Sequence, residues 1–371
     1  MRVFIKNILF FISIVVIGVS CNTDFELNAP YQTIPLVYGL LDQSADTQFV
    51  KINKSFIGDG NNVEYAGVND SVLFDNISAR VEELNNGIAV NVYDLEELWV
   101  DNIDDGLFYE DSQLVYYFVP LSTLNDESTY KLIIETDEVA EPITAETDLI
   151  DGSGLSFNFL FGLSLGLNGL QLADVDLGTN NVYYDPLVKW NTSNNGKRYE
   201  LLLKFNYNEV TASSSEIKSI YWKLSTQTSI SSSGGEEMFK NVSGEAFFDM
   251  IYTSLDAYEN EADVIRREIR GIEFIVSAGN EDLNIYMEVN EPATGVVTER
   301  PSFTNIEGGI GIFGSKYQVA ISGPLSDGSV LELCKGQITS GLKFCCDSTD
   351  QKTTIFNLTG GLRHHQTTAK K

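Results

Sequence analysis

The sequence predicts a mainly β protein, in which an antiparallel β-sandwich domain is followed by a second β-rich domain carrying one amphipathic helix. Three observations lead there. Short runs rich in β-branched and aromatic residues recur from Ile34 to Asp151, alternating with a period of two and separated by turn residues. In "LSFNFLFGLSLGLN", Leu155, Phe157, Phe159, Phe161, Leu163, Leu165 and Leu167 occupy every second position, the pattern of a strand with one apolar face. One stretch, Gly244 to about Arg267, moves convincingly to a helical period. There Phe247, Ile251, Leu255 and Tyr258 share a face, and Ser243 is placed to cap the first turn.

In chain order, residues 31–150 form the first domain. "IPLVYGLLD" and "TQFVKINKSF" are two strands split by "QSAD", and "ISARVEEL", "GIAVNVYDL", "LFYED", "QLVYYFV" and "TYKLIIETD" follow. The domain closes with "ITAETDLID". Residues 151–346 form the second domain. Its alternating run would exceed roughly 40 Å at ~3.3 Å per residue, so a bend at Gly162 or Gly166, or a hairpin, is expected. "VYYDPLVKWN", "RYELLLKFNYNEV" and "IKSIYWKLSTQTSI" read as strands, with "NTSNNGK" as a hairpin loop and "SSSGG" as a flexible one. "GIEFIVSAG" returns to strand after the helix, "NIEGGIGIFGSKYQVAI" is a turn into another strand, and "LSDGSVLELCKGQ" can start a short helix at Ser326 or Asp327. Residues 347–371 are a polar tail.

The N-terminus has its own logic. Arg2 and Lys6 precede the apolar stretch Ile8–Ser20, which is too short for a comfortable membrane span of about 20 residues and has the layout of a signal peptide. Small residues Gly18 and Ser20 flank Val19, and Cys21 follows directly. This resembles a bacterial lipobox, with Gly18 standing where leucine is usual. Residues 1–20 are therefore expected to be a lipoprotein signal peptide, Cys21 the lipidated first residue of the mature chain, and residues 21–30 a tether. Cleavage removes Arg2 and Lys6 and no acid, so the mature chain is more acidic than the formal −29 of the whole sequence. Such a charge disfavours nucleic acid, which binds through lysine and arginine, and keeps the body off anionic headgroups.

Few chemistries survive this composition. The only histidines, His364 and His365, lie in the polar tail, so histidine-based acid–base catalysis, serine–histidine nucleophiles and zinc are excluded from the expectation. Paired carboxylates remain possible, but with 53 acids no spacing selects a pair. Asp174, Asp176 and Asn180 stand at alternate positions in "DVDLGTNNVYYD" and are candidate calcium ligands. The match to a calcium loop is partial, because Gly178 occupies a ligand position and Thr179 the glycine position. "DNIDDG", Asp101–Gly106, is a second acidic turn, with Ile103 where a ligand is needed. "EGGIGIFGS" lacks the lysine and following helix of a phosphate loop and reads as a tight turn. Tyr116, Tyr117, Tyr183, Tyr184, Tyr221 and Trp222 form adjacent pairs that point to opposite faces of a strand, so one of each pair can be exposed to stack on a sugar or peptide. In an oxidising compartment Cys334 is expected to bridge Cys345 or Cys346, with Cys345 taken as the partner, since neighbouring cysteines rarely bond each other.

Together, the lipobox-like start, "YKLIIETDEVAEPITAETDLID", "RYELLLKFNYNEV" and "NIEGGIGIFGS" resemble an uncharacterised family of Bacteroidota outer-membrane lipoproteins. The resemblance implies an immunoglobulin-like N-terminal sandwich, a second β-rich domain, a lipid anchor in the outer membrane and association with a TonB-dependent transporter or another envelope protein. It implies no catalytic residues and no cofactor. The expected function is non-enzymatic binding of a ligand or partner, accessory to uptake or assembly. The alternatives are a surface carbohydrate-active enzyme using paired carboxylates, and an adhesin or structural component.

Overall fold

The computed structural model describes residues 33–55, 69–101, 112–158, 169–175, 181–256, 263–291 and 302–344. Cys21 and the tether, Phe159–Leu167 of the alternating run, "LFYED", Asp176, Asn180, Cys345 and the tail lie outside these residues.

The first half supplies β1 (Pro35–Asp42), β2 (Gln48–Lys54), β3 (Ile77–Asn85), β4 (Ile88–Asp94), β5 (Glu96–Asp101), β6 (Ser112–Phe118), β7 (Thr129–Thr136) and β8 (Ile143–Asp148). The second supplies β9 (Ser156–Phe157), β10 (Ala173–Val175), β11 (Asn181–Tyr183), β12 (Leu187–Asn191), β13 (Arg198–Thr211), β14 (Ser215–Thr228), β15 (Glu237–Asn241), β16 (Val264–Gly279) and β17 (Ile310–Gly323). Three helices interrupt it: α1 (Gly244–Asp256), α2 (Glu281–Asn290) and α3 (Asp327–Lys335). The protein is thus mainly β, as its alternation predicts.

The largest sheet has eight strands in the order β14-β13-β16-β17-β1-β2-β6-β5, and a second has four in the order β4-β3-β7-β8. The small sheets are β15-β12-β9 and the pair β10-β11. Among these ladders only β1 with β17 is parallel; it runs from Leu36↔Ile310 to Asp42↔Lys316 and joins the two halves of the chain in one sheet. Two glycines permit that approach. Gly39 lies under the Phe313 ring, and Gly311 has φ 131, where a Cβ would overlap the carbonyl oxygen of Val37.

The side chains form two cores that divide near Leu149 and Ile150. In the first, Val37, Val50 and Tyr116 of the large sheet face Val81, Leu132 and Ile134 of the four-stranded sheet, and the late residues Ile306 and Phe313 complete it. In the second, Leu203 and Phe205 of β13 and Phe274 of β16 pack against Phe247, Ile251 and Leu255 of α1. The apolar face read for this helix is the buried one, and Ser243 Oγ accepts from the Ala246 N–H at 3.4 Å.

Two expectations change, and one helix is new. The helix is read to about Arg267, but α1 ends at Asp256 and β16 has begun by Val264. "VIRREIR" resembles a polar helical face, yet Arg267 points into the protein and its strand pairs with β13. α2 is a helix that no apolar stripe announced; of its residues only Asn284 is buried. "NTSNNGK" is not a hairpin loop: it carries the chain from β12 in a small sheet to β13 in the large one. Of the long alternating run, Leu155 is buried and Ser156–Phe157 pair with Trp190 and Asn191.

Arg267 is 1% exposed. Its Nε donates to Glu209 Oε2 at 3.0 Å and its Nη1 to the Leu342 carbonyl at 2.8 Å, while Lys218 Nζ lies 2.5 Å from Glu209 Oε1. Burial alone would raise the Glu209 carboxyl, but hydrogen bonds and charge from Lys218 and Arg267 outweigh it and hold the group below the usual carboxylate range. The stability this supplies is present above the unfolded-state value and is lost as pH falls through the lowered folded value. Arg267→Met is expected to cost about 3–5 kcal/mol, because it breaks a buried ion pair, leaves Glu209 with Lys218 alone and frees the Leu342 carbonyl, and Arg267→Met with Glu209→Leu less than the sum of the two single changes. Urea unfolding at pH 7 reads this, and the gap between wild type and Glu209→Gln should narrow on acidification. Gly311→Ala is expected to lower soluble yield or the melting temperature sharply, whereas Gly87→Ala, at φ 76 in the β3–β4 turn, carries backbone strain of about 1 kcal/mol but meets no neighbour and should cost far less.

Candidate functional site

β8 ends at Asp148, and the chain then crosses from the first core into the second. At this seam a cleft of about 450 Å³ is lined by Thr129, Glu146, Thr147, Asp148, Asn195, Ser232, Asn280, Glu281 and Asp282. Its walls come from the β7–β8 edge, from loops of the second half and from the first turn of α2.

Asn280 holds the cleft together. Its backbone N–H donates to the Ser315 carbonyl at 3.1 Å, its Nδ2 donates to Thr147 Oγ1 at 3.0 Å, and its Oδ1 caps α2 by accepting from the Leu283 N–H at 3.1 Å. Ser315 Oγ donates to the Asp148 carbonyl at 2.7 Å, and Thr129 Oγ1 to the Asp148 carboxylate at 2.7 Å. Across the cleft Ser232 Oγ donates to Glu281 Oε2 at 3.0 Å, and Asn195, at φ 63, sends its Nδ2 to the Leu149 carbonyl at 2.8 Å. The lining therefore combines four carboxylates with hydroxyls and amides; of the carboxylates, Glu146 already accepts from Lys131 Nζ at 2.8 Å. Burial is the main cause that raises the Asp282 carboxyl above the ordinary aspartate range; the charges of Glu281 and Asp148 add to it, and the hydrogen bond from Asn305 works against it. Chemically the cleft suits a polar, neutral or cationic ligand of modest size. Among the described residues no three acids, histidines or cysteines are grouped so as to hold a metal ion.

The structure does not bring the sequence candidates to this cleft. Asp174 is exposed on β10, while Asp176 and Asn180 lie outside the described residues, as does Cys21. Cys334 on α3 is disulfide-bonded; its partner lies outside the described residues, and Phe344, the residue before Cys345, is buried in the second core. Asp101 is the exposed last residue of β5. The aromatic pairs do split as alternation requires: Tyr116 is buried while Tyr117 reaches Glu96, and Tyr221 is 60% exposed while Trp222 packs against the core. Gly162–Gly166, "GLSLG", has the G-x-S-x-G spacing of a nucleophile elbow, but it lies outside the described residues, and the chain's only histidines are His364 and His365. No helix among the described residues is long and apolar enough to cross a membrane. The cleft residues escaped the sequence reading because their only signal is the carboxylate, which recurs 53 times.

A carboxyl held above its unfolded value favours folding at low pH and loses that contribution as pH rises through the folded value. Ionised Asp282 is thus a net cost near neutrality. Asp282→Asn, which keeps an acceptor for Asn305, is expected to raise the melting temperature at pH 7, with the gain shrinking as pH falls into the carboxylate range. Thermal unfolding of both proteins from pH 7 to pH 4 checks this.

No family model matches the chain, and no curated protein is significantly similar to it.

Proposed function

We propose that the protein is a lipid-anchored envelope protein, cleaved before Cys21 and held at the outer membrane, whose β-rich body binds a partner or ligand without chemistry of its own. The observation that carries this reading is the apolar stretch Ile8–Ser20 ending directly on Cys21, ahead of a strongly acidic chain. Modification of the cysteine by two or more acyl chains would give stable anchoring, since one chain binds a bilayer only marginally. A transmembrane partner such as a TonB-dependent transporter fits an anchored accessory subunit. The cleft at the seam and the exposed surfaces of the sheets are what such a body offers.

A carboxylate enzyme is the second reading, favoured by one observation: half-buried Asp282 is raised while Asp148 and Glu281 share its cleft. Glycoside hydrolysis uses two carboxyl groups flanking the scissile bond at separations of about 5–9.5 Å.

Cys21→Ser is expected to move the protein from the membrane to the soluble fraction, and mass measurement of the wild-type mature N-terminus should find acyl chains on Cys21. Crosslinking in native membranes followed by pull-down should recover an envelope protein. An unmodified Cys21 would end the anchor reading. Recovery of no partner, together with polysaccharide cleavage by purified protein that Asp282→Asn abolishes, would replace the binding reading with the enzyme.

A further inference from the structure

We propose that β5 is a docking edge that accepts an extended segment of a partner protein as a ninth strand, and that this segment has an apolar centre and lysine or arginine near its ends. The inference deepens the partner-binding reading and rests on it.

A sheet edge offers a row of unpaired N–H and C=O groups, and proteins normally close such edges with lysine, a bulge or a covering segment. Three of the four edges of the two main sheets are closed in this way. β8 is covered by reciprocal backbone hydrogen bonds between Thr144 and Glu307, at 3.1 and 2.7 Å. β4 carries a register shift opposite Glu83 and Leu84. β14 bears Lys218 and Lys223, paired with Glu209 and Glu200. Among the described residues β5 has none of these. All six of its residues are exposed, its register with β6 runs unbroken from Glu96↔Tyr117 to Asp101↔Ser112, and among the described residues no strand pairs with its other side.

Its side chains set the chemistry of the guest. Glu96, Leu98 and Val100 share one face; Glu97, Trp99 and Asp101 share the other. Leu98, Trp99 and Val100 are 39, 48 and 37% exposed, an apolar centre bounded by carboxylates on both faces. No lysine or arginine occurs in the sequence between Arg80 and Lys131, so β5 and its neighbour β6 carry no cation of their own. A second copy would set this acidic edge against itself, and like charges directly opposite destabilise a strand pair. A guest with cationic ends and a β-branched centre satisfies the backbone, covers Leu98, Trp99 and Val100 and meets each acid with its opposite. This is strand addition, in which main-chain hydrogen bonds supply affinity and alternate side chains supply selection.

The test uses the full chain in detergent and a labelled, end-capped seven-residue peptide with Val–Thr–Val at its centre and two lysines at each end. Fluorescence polarisation should show saturable binding. The analogue with proline at the centre has the same charge but lacks the strand's N–H, and should bind at least tenfold more weakly. Val100→Lys and, separately, Leu98→Lys should weaken the parent peptide at least tenfold without shifting the melting temperature. Equal binding of the proline analogue would reduce the interaction to charge alone and overturn the proposal, as would wild-type binding by both variants. So would a dimer in sedimentation that Val100→Lys dissociates, since the edge would then hold a second copy. If the native-membrane pull-down recovers the same partner with Val100→Lys as with wild type, the edge assignment fails while the partner-binding reading stands.

Discussion

The parallel pairing of β1 with β17 is the contact on which the architecture depends. A parallel ladder needs a long crossover, and here nearly all of the described chain lies between the two strands. Without it the sheet would split between β17 and β1, leaving one group of strands from each half of the sequence. With it, two cores that divide near Leu149 and Ile150 share one eight-stranded sheet. Phe313 shows the consequence most directly: it belongs to a strand of the second half but is buried in the core of the first, over Gly39. The glycine at 311 has a geometric reason, since any side chain there would meet the backbone of β1.

The seam created by that pairing is also where the polar groups converge. Asn280 touches three elements at once: it caps α2, donates to Thr147 beside the end of β8, and bonds the backbone of β17 at Ser315. A cleft whose lining is tied to both cores in this way is well ordered before any ligand arrives, which lowers the entropic cost of binding. It also means that the raised Asp282 is held by structure rather than by chance exposure. α2 keeps its first turn between the Asn280 cap and the Asn305 side chain, which spans Asp282 and the β17 backbone at Phe313.

The alternation of apolar residues makes β1, β2, β3, β6, β7, β13 and β14 legible, because each packs one face against a core, β14 only in part through Ile220, Trp222 and Leu224, and period two is the direct signature of that packing. The elements that were missed lack such a face. β5 is exposed throughout and dense in acids, so "EELWVD" shows no alternation of apolar with polar. α2 buries one asparagine and is held by its cap, not by a stripe. The start of β16 was read as helix because a buried arginine looks the same in sequence as a solvated one. Only the position of Glu209, 58 residues earlier, distinguishes them. The cleft was illegible for a related reason: its carboxylates come from β8 and α2, which no local spacing connects.

The scarcity of positive charge ties these features together. With 24 basic residues against 53 acids, each cation has a choice of partners, and many of the described ones pair with acids of the sheets. Arg267 and Lys218 meet Glu209, Lys54 meets Glu138, Lys189 meets Glu237, and Lys204 meets Glu273. Lysine is also the residue that most often closes a sheet edge, by placing a charge where a second strand would sit. β14 receives that protection because its lysines also satisfy Glu209 and Glu200. β5 lies in a stretch without a single cation and receives none. The same charge that opens this edge guards it against the commonest intruder, another copy of the chain, because like carboxylates repel at short range even where salt screens them at distance. An edge closed to itself by charge and open to its opposite is selective without a pocket, and that selectivity follows from where so acidic a chain places its few lysines.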